Sequence, residues 1–264
     1  MSSKTENRAK EILHHLLQAG KTSVDDLTSA LGASPASIRR DLTRLEEKGL
    51  VHRTHGGAML VNSGQMVYEP FRLDASFQIR ADRFASEKMR IAKAAALMVE
   101  DEEMIGLSAG TTTTLIARQL LHRKNLHVIT NAVNIGTELS VNPRLQTSLT
   151  GGHLRWAGAF TLVGPMALET LSSVVMHRVF LGVTGIDAMR GATMIQPEEA
   201  AIFRAMARAA RQVIVVADSS KVSIVSPAVI CPPNGIDLLI TDDGISDDAQ
   251  ESFSKAGIRV IIAQ

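Results

Sequence analysis

The run Ser34-Pro35-Ala36-Ser37-Ile38-Arg39-Arg40-Asp41-Leu42-Thr43-Arg44-Leu45 opens like a helix and carries two different faces. A hydroxyl residue followed by proline is a helix start: the serine can cap a free amide, and proline at the first helical position forfeits no hydrogen bond. Ile38, Leu42 and Leu45 then fall on one apolar stripe, which Gly49 ends. Two shorter stripes precede it. Ala9, Ile12, Leu13, Leu16 and Leu17 recur at helical spacing before Gly20, and Val24, Leu27 and Leu31 recur before Gly32, with Asp25 and Asp26 in a first turn that suits negative charge. Three short helices joined by tight turns predict a helix-turn-helix. Val51-His52-Arg53-Thr54-His55-Gly56-Gly57-Ala58-Met59-Leu60 reads as two extended runs about a glycine turn, a wing.

With the apolar stripe turned inward, Ser37, Arg40, Thr43 and Arg44 point outward, Arg39 flanks them, and Ser34 stands at the helix start. Arginine offers bidentate donors to guanine edges or phosphates, and hydroxyls serve bases or backbone. Arg53 and His55 lie near the tip of the wing. These eight residues form the candidate interface with double-stranded DNA. The plainer alternative is a solvated face on which Asp41, Glu46 and Glu47 offset the arginines. Helix, cap and wing together favour DNA.

The chain has 264 residues, enough for a small and a larger domain. Its composition, 45% hydrophobic and 21% charged, is that of a globular protein, and a net charge of +1 argues against coating nucleic acid over the whole surface. A single cysteine, Cys231, excludes an internal disulfide framework and a cysteine-based zinc site; His14-His15 and His52 with His55 match no zinc spacing either, so no metal and no cofactor is expected. The polar first ten residues lack a signal-peptide core, and no apolar run approaches the roughly 20 residues that span a bilayer, so a cytoplasmic location with no membrane partner is expected.

Residues 61–86 lose clear periodicity and read as a linker after a domain at residues 1–60. From Glu87 onward a helical stripe of Met89, Ile91, Ala92, Ala95, Ala96 and Met98 opens the larger domain, residues 87–264. Strands are predicted near residues 104–107, 126–130, 145–149, 179–183, 213–217, 238–241 and 259–262, and helices near 112–121, 133–140, 198–210 and 247–256. This alternation predicts an α/β fold, a mostly parallel sheet covered by helices, in which ligands bind at the carboxyl ends of strands. Polar loops sit at those ends. Ser108-Ala109-Gly110-Thr111-Thr112-Thr113 opens a helix with backbone amides and hydroxyls suited to phosphate. Asn131, then Gly151 and Gly152 with Arg155 as an anion partner, then Asp187 and Lys221 follow later strands.

Arg8 with Ile12, residues 34–42, and Leu45-Glu46-Glu47-Lys48-Gly49-Leu50 running into Arg53-Thr54-His55-Gly56-Gly57-Ala58 together resemble the DeoR-type helix-turn-helix. Gly110-Thr111-Thr112, Thr130-Asn131, Gly151-Gly152, Gly185-Ile186-Asp187, Pro197-Glu198-Glu199-Ala200 and Asp218-Ser219-Ser220-Lys221 resemble the sensor domain of the same family in order and spacing. The resemblance implies a homo-oligomeric repressor, dimer or tetramer, whose sensor domain is similar to ribose-5-phosphate isomerase and the CoA-transferases. It also implies a phosphorylated sugar as effector, with Gly110 to Thr113 and Lys221 on the phosphate and Asp187 and Glu198 on hydroxyls. Ser37 stands where the family has threonine, and Ser108 where it has aspartate, which opens the site to other effectors.

Two enzymatic readings compete. Gly106-Leu107-Ser108-Ala109-Gly110 matches a nucleophile elbow, yet it falls on the first strand of its domain, and His153 and His177 precede most of the acidic candidates. An isomerase using Asp187 and Lys221 would leave the first sixty residues without a purpose.

Overall fold

The computed structural model describes residues 8–9, 11–13, 15–16, 21–47, 51–54, 56–60, 75–155 and 160–264. It divides into two compact units, Met1–Ala75 and Ser76–Gln264.

In the first unit, the described residues of α1, within 8–16, are helical. They are followed by β1 (Lys21–Ser23), α2 (Val24–Leu31), α3 (Pro35–Glu47), β2 (Val51–Thr54) and β3 (Gly57–Leu60). The Ser23 side chain accepts from the Asp26 amide, and the Asp26 carboxylate reaches back to the Ser23 amide, so α2 begins in a reciprocal capping box. Gly32 ends α2 at φ +58, the left-handed conformation that glycine adopts without penalty. The expected wing is present, and β1, which sequence periodicity did not show, pairs with its second strand to give the order β1-β3-β2. Gly57 allows this pairing: a Cβ there would stand 2.1 Å from the Thr22 carbonyl oxygen. Ile12, Leu16, Val24, Leu27, Ile38, Leu42, Leu45, Val51 and Ala58 close the core of the unit.

The second unit begins inside the stretch expected to be a linker. Residues 75–82 form α4 (Ala75–Asp82), and α5 (Ala85–Leu97) follows after a break at Phe84, held at φ +55. α4 lacks a regular apolar stripe. Phe77 anchors it, buried with its ring edge-on to Phe160 at 6.3 Å. Then come β4 (Met104–Leu107), α6 (Thr111–Gln119), β5 (His127–Thr130), α7 (Val133–Leu139) and β6 (Gln146–Leu149). The chain returns through the hairpin β7 (His153–Arg155) and β8 (Thr161–Val163), then α8 (Pro165–Ser172), to β9 (Arg178–Gly182). Beyond lie β10 (Gly185–Asp187), β11 (Gly191–Met194), α9 (Pro197–Arg208), β12 (Val213–Val216), β13 (Ala228–Cys231), β14 (Leu238–Thr241), α10 (Asp247–Lys255) and β15 (Arg259–Ile262).

Seven strands form one sheet in the order β15-β14-β12-β9-β4-β5-β6, and every pairing in it is parallel. β9 and β12, Val179-Phe180-Leu181 and Val213-Ile214-Val215-Val216, are buried along these runs, as expected for strands covered on both faces. A separate antiparallel sheet, β10-β11-β13, stands beside it. The chain runs outward from β4 through β5 and β6, then returns to β9 on the other side of β4 and continues the opposite way. The sheet therefore reverses direction between β4 and β9, and a crevice opens at their carboxyl ends. Among the described residues no helix is long and apolar enough to cross a membrane.

Candidate functional site

Two sites emerge, one in each unit. On α3, Ser34, Arg39, Arg40 and Arg44 are exposed, and Ser37 and Thr43 are half-buried. Ser34 does what its position predicts: its Oγ accepts from the Ser37 amide at 3.3 Å and lies 3.0 Å from the Ser37 hydroxyl. The Thr43 hydroxyl donates to the Arg39 carbonyl at 2.9 Å and accepts from Arg53 Nη1 at 3.2 Å, so it ties the wing to the helix. Glu46 strengthens the tie by accepting from the Arg53 amide at 2.9 Å. Arg40 Nε reaches only its own helix, at the Ala36 carbonyl, 3.3 Å away. The result is a face of three exposed guanidinium groups with a fourth, Arg53, set beside it by the wing. His55 lies outside the described residues.

Asp41 does not belong to the solvated face on which it was placed with Glu46 and Glu47. It is 2% exposed, accepts from Arg8 Nε at 2.6 Å, and has Arg44 Nη1 at 3.8 Å. Its position, three residues after Ile38 and four before Leu45, is in phase with the apolar stripe. The charge is therefore a buried link between α1 and α3.

In the second unit a cavity of about 130 Å3 opens where the sheet reverses. Ala109, Gly110, Thr111 and Thr112 line it from the end of β4; Gly182, Val183 and Thr184 from β9; Ala217, Asp218 and Lys221 from β12. Lys88 of α5 and Glu199 of α9 also reach it, and Arg80, Arg83 and Phe84, in α4 and the break after it, complete the wall. No side chain caps the N-terminus of α6, where Gly110 stands. Backbone amides, Lys88 and Lys221 therefore converge on one space, an arrangement suited to an anion.

Lys88 is the residue that sequence reading missed. It is 5% exposed, and its Nζ donates to the Arg83 carbonyl at 2.6 Å and to the Arg80 carbonyl. Burial pushes its pKa down, opposed by nearby Asp218 and reinforced by Lys221, Arg80 and Arg83. Its signal was present: it stands three and four residues before Ile91 and Ala92, in phase with the buried stripe of α5. Glu199, not Glu198, faces the cavity. Burial raises its pKa against the opposing charges of Arg155 and Arg80.

Gly110, Thr111, Thr112 and Lys221 are thus brought together, and the other expected effector residues do not line this cavity. Ser108 is fully buried and its Oγ accepts from the Gly182 amide at 3.0 Å, pinning β4 to β9. So enclosed, it offers no nucleophile to a substrate. Thr113 donates to the Gly110 carbonyl at 3.0 Å. Asn131, also fully buried, accepts from the Ala109 amide at 2.9 Å and donates to Thr161 Oγ1 at 2.6 Å. Gly151 and Gly152 turn the chain at positive φ, and a Cβ on Gly152 would meet the Val163 carbonyl oxygen at 2.4 Å. Asp187 accepts from the Met189 and Arg190 amides, both at 2.9 Å, in the β10–β11 turn. It does not line the cavity with Lys221, so the pair an isomerase would need is not assembled there. Arg155 and Glu198 line a separate groove beside β7 and α9. Among the described residues no cluster of three His, Cys, Asp or Glu is placed to hold a metal.

Comparison with known proteins agrees with this division. Residues 8–64 match the DeoR-like helix-turn-helix domain and residues 83–243 the DeoR C terminal sensor domain. A protein of Escherichia coli O157:H7, named as a candidate aga operon transcriptional repressor, is 34% identical over 258 residues, covering 98% of this chain and 94% of its own. The transcriptional repressor GlcR of Bacillus subtilis is 31% identical over 259 residues, covering 98% and 96%. A solved ribose 5-phosphate isomerase A from Neisseria gonorrhoeae, 17% identical, covers 51% of this chain and 52% of its own with a TM-score of 0.36, a likeness too low to carry an argument. With both domains matched and relatives at this identity spanning its length, the chain belongs to the DeoR family of helix-turn-helix transcriptional regulators.

Proposed function

We propose that this regulator represses a carbohydrate or related metabolic operon and that a phosphorylated sugar, bound in the cavity between β4 and β9, modulates its grip on DNA. One observation carries the effector reading: the open N-terminus of α6, Lys88 and Lys221 meet in one cavity at the reversal of the sheet. A relative named as a glycerol-3-phosphate regulon repressor, 30% identical over 218 residues, supports a phosphorylated metabolite as effector. The chain acts as a cytoplasmic homo-oligomer, dimer or tetramer, presenting at least two winged helices to a repeated or palindromic operator. Residues 34, 37, 39, 40, 43, 44, 53 and 55 meet the DNA, and the stretch 61–90 transmits the change. A coupling of about 1–3 kcal/mol changes operator affinity roughly 5- to 150-fold.

Fluorescence anisotropy on DNA flanking the chain's own gene, at fixed near-physiological salt, tests this with and without a panel of sugar phosphates. Specific binding that one compound shifts is the expected result. Specific binding indifferent to every compound refutes the effector class and leaves the regulator. Absence of specific binding, with or without the compounds, refutes regulation at that site.

A further inference from the structure

The charges around the cavity say more about its occupant, provided the cavity is the phosphate site proposed above. Arg80, Arg83, Lys88 and Lys221 share its wall with Glu199 and Asp218; four cations and two carboxylates leave a net lining charge of +2. A phosphate monoester carries about −1.5 to −2 at neutral pH. One such group nearly balances the wall, and a second anion would have to compete with Glu199 for the cations beside it, Arg155 and Arg80.

The two carboxylates are not equivalent. Asp218 is 2% exposed, accepts from the Ser220 hydroxyl, and lies in the field of Lys88, so it belongs to the cationic end. Glu199 stands apart. The charges that act on it are those of Arg155, Arg80 and Glu198, and its ion pair with Arg155 is a loose one at 3.7 Å. Arg155 Nη1 is itself buried without a hydrogen bond. Glu199 is therefore held in place by charge at a distance while its carboxylate faces the cavity. A part-buried carboxylate of this kind can accept from donors that a ligand brings.

We propose that Glu199 sets the specificity of the cavity. It accepts hydrogen bonds from the hydroxyl or ammonium end of a ligand with one phosphate and no other anionic group, and it turns away ligands with a second anion, such as phosphorylated sugar acids and bisphosphates. The discrimination comes from repulsion as much as from attraction.

Sorbitol 6-phosphate and 6-phosphogluconate are matched probes: both are open chains, and they differ at C1 by a hydroxymethyl group against a carboxylate. Inorganic phosphate is the third probe, and calorimetric titration of the full chain is the measurement. The unaltered chain is expected to bind sorbitol 6-phosphate about tenfold or more tighter than 6-phosphogluconate, the scale of one like-charge contact in a part-buried site. Glu199→Gln brings that ratio close to one. Glu199→Asp keeps the charge and the preference, and carries the test if the glutamine variant does not fold. Equal or tighter binding of 6-phosphogluconate to the unaltered chain, a ratio that Glu199→Gln leaves intact, or binding of inorganic phosphate but of neither ester overturns the role of Glu199. Failure to bind any of the three is a separate result: it removes the phosphate reading of the cavity, and this inference with it.

Discussion

Asp41→Ala should unfold the winged helix without removing a single group that reads DNA. Asp41 is 2% exposed, and its partner Arg8, at 2.6 Å, is 21% exposed. Removing one member of a fully buried pair costs about 3–5 kcal/mol, because the remaining charge is left without a partner. Arg8 keeps some contact with water, which lowers the expected loss to roughly 2–4 kcal/mol. Arg44, at 3.8 Å and 55% exposed, adds little, since its charge is already hydrated. A unit of this size has only a few kcal/mol of stability in all. A loss of 2–4 kcal/mol corresponds to a fall of about 10–25 °C in its melting temperature. Thermal unfolding followed by circular dichroism should show the lower transition move while that of the larger unit stays. Operator affinity should fall in proportion to the unfolded fraction and recover on cooling. A stability change under about 0.5 kcal/mol would mean that Asp41 is hydrated in solution and that the α1–α3 link is not what holds this unit together.

The remaining expectations separate contact from fold. Arg40→Ala and Arg44→Ala should each weaken operator binding by about 1–3 kcal/mol if they read bases, with the melting curve unmoved; unchanged anisotropy titrations for both would take α3 out of the interface. Lys88→Met should lower the affinity for inorganic phosphate about 10- to 100-fold, judged from one charge-assisted contact of roughly 1.5–3 kcal/mol. Burial lowers the pKa of Lys88, so the penalty is fully present below that lowered value and fades as pH rises through it toward the ordinary lysine value. Methionine removes that penalty along with the two carbonyl contacts, and the melting temperature without ligand should change little. Burial pushes the thiol of Cys231 up to about 11, so the thiolate is scarce at pH 8. Iodoacetamide should leave the native chain unmodified over hours and label it promptly in denaturant.

Most of the architecture was legible because it rests on burial patterns that repeat. Most of the seven strands of the parallel sheet appear in the sequence as short apolar runs, since both of their faces are covered; the edge strand β6, Gln146-Thr147-Ser148-Leu149, is largely polar. The α3 helix was legible because Ser34-Pro35 fixes its start and Ile38, Leu42 and Leu45 its inner face. β1 was not: three residues, Lys21-Thr22-Ser23, carry too little pattern, and their pairing depends on the absent side chain of Gly57. α4 was hidden for a related reason. A helical stripe through Phe77 would call for a large apolar residue one turn on, but Arg80 and Ala81 stand there, and Ile79 is exposed.

The sites were harder to read because the same residue types satisfy two different needs. A polar residue at a strand end can face a ligand or can satisfy the backbone of the loop that surrounds the ligand. Asn131 and Ser108 took the second role, each accepting from an amide of a neighbouring strand end, at Ala109 and Gly182. Both are fully buried, and without those bonds the amides would be left without partners. Gly152 similarly avoids a collision with Val163 that only the folded chain reveals. Charge misleads in the opposite direction. A sequence reading places lysines and aspartates outside by default, because burying an unpaired charge is costly. Lys88 and Asp41 both violate that default while lying in phase with an apolar stripe. One faces the cavity, and the other locks the recognition helix to α1. A charged residue at a position where the helical pattern calls for a hydrophobe is thus a sharper pointer in this chain than any of its polar loops: the cost of burial has to be offset by partners, which Asp41 finds in Arg8 and Lys88 in the carbonyls of Arg80 and Arg83.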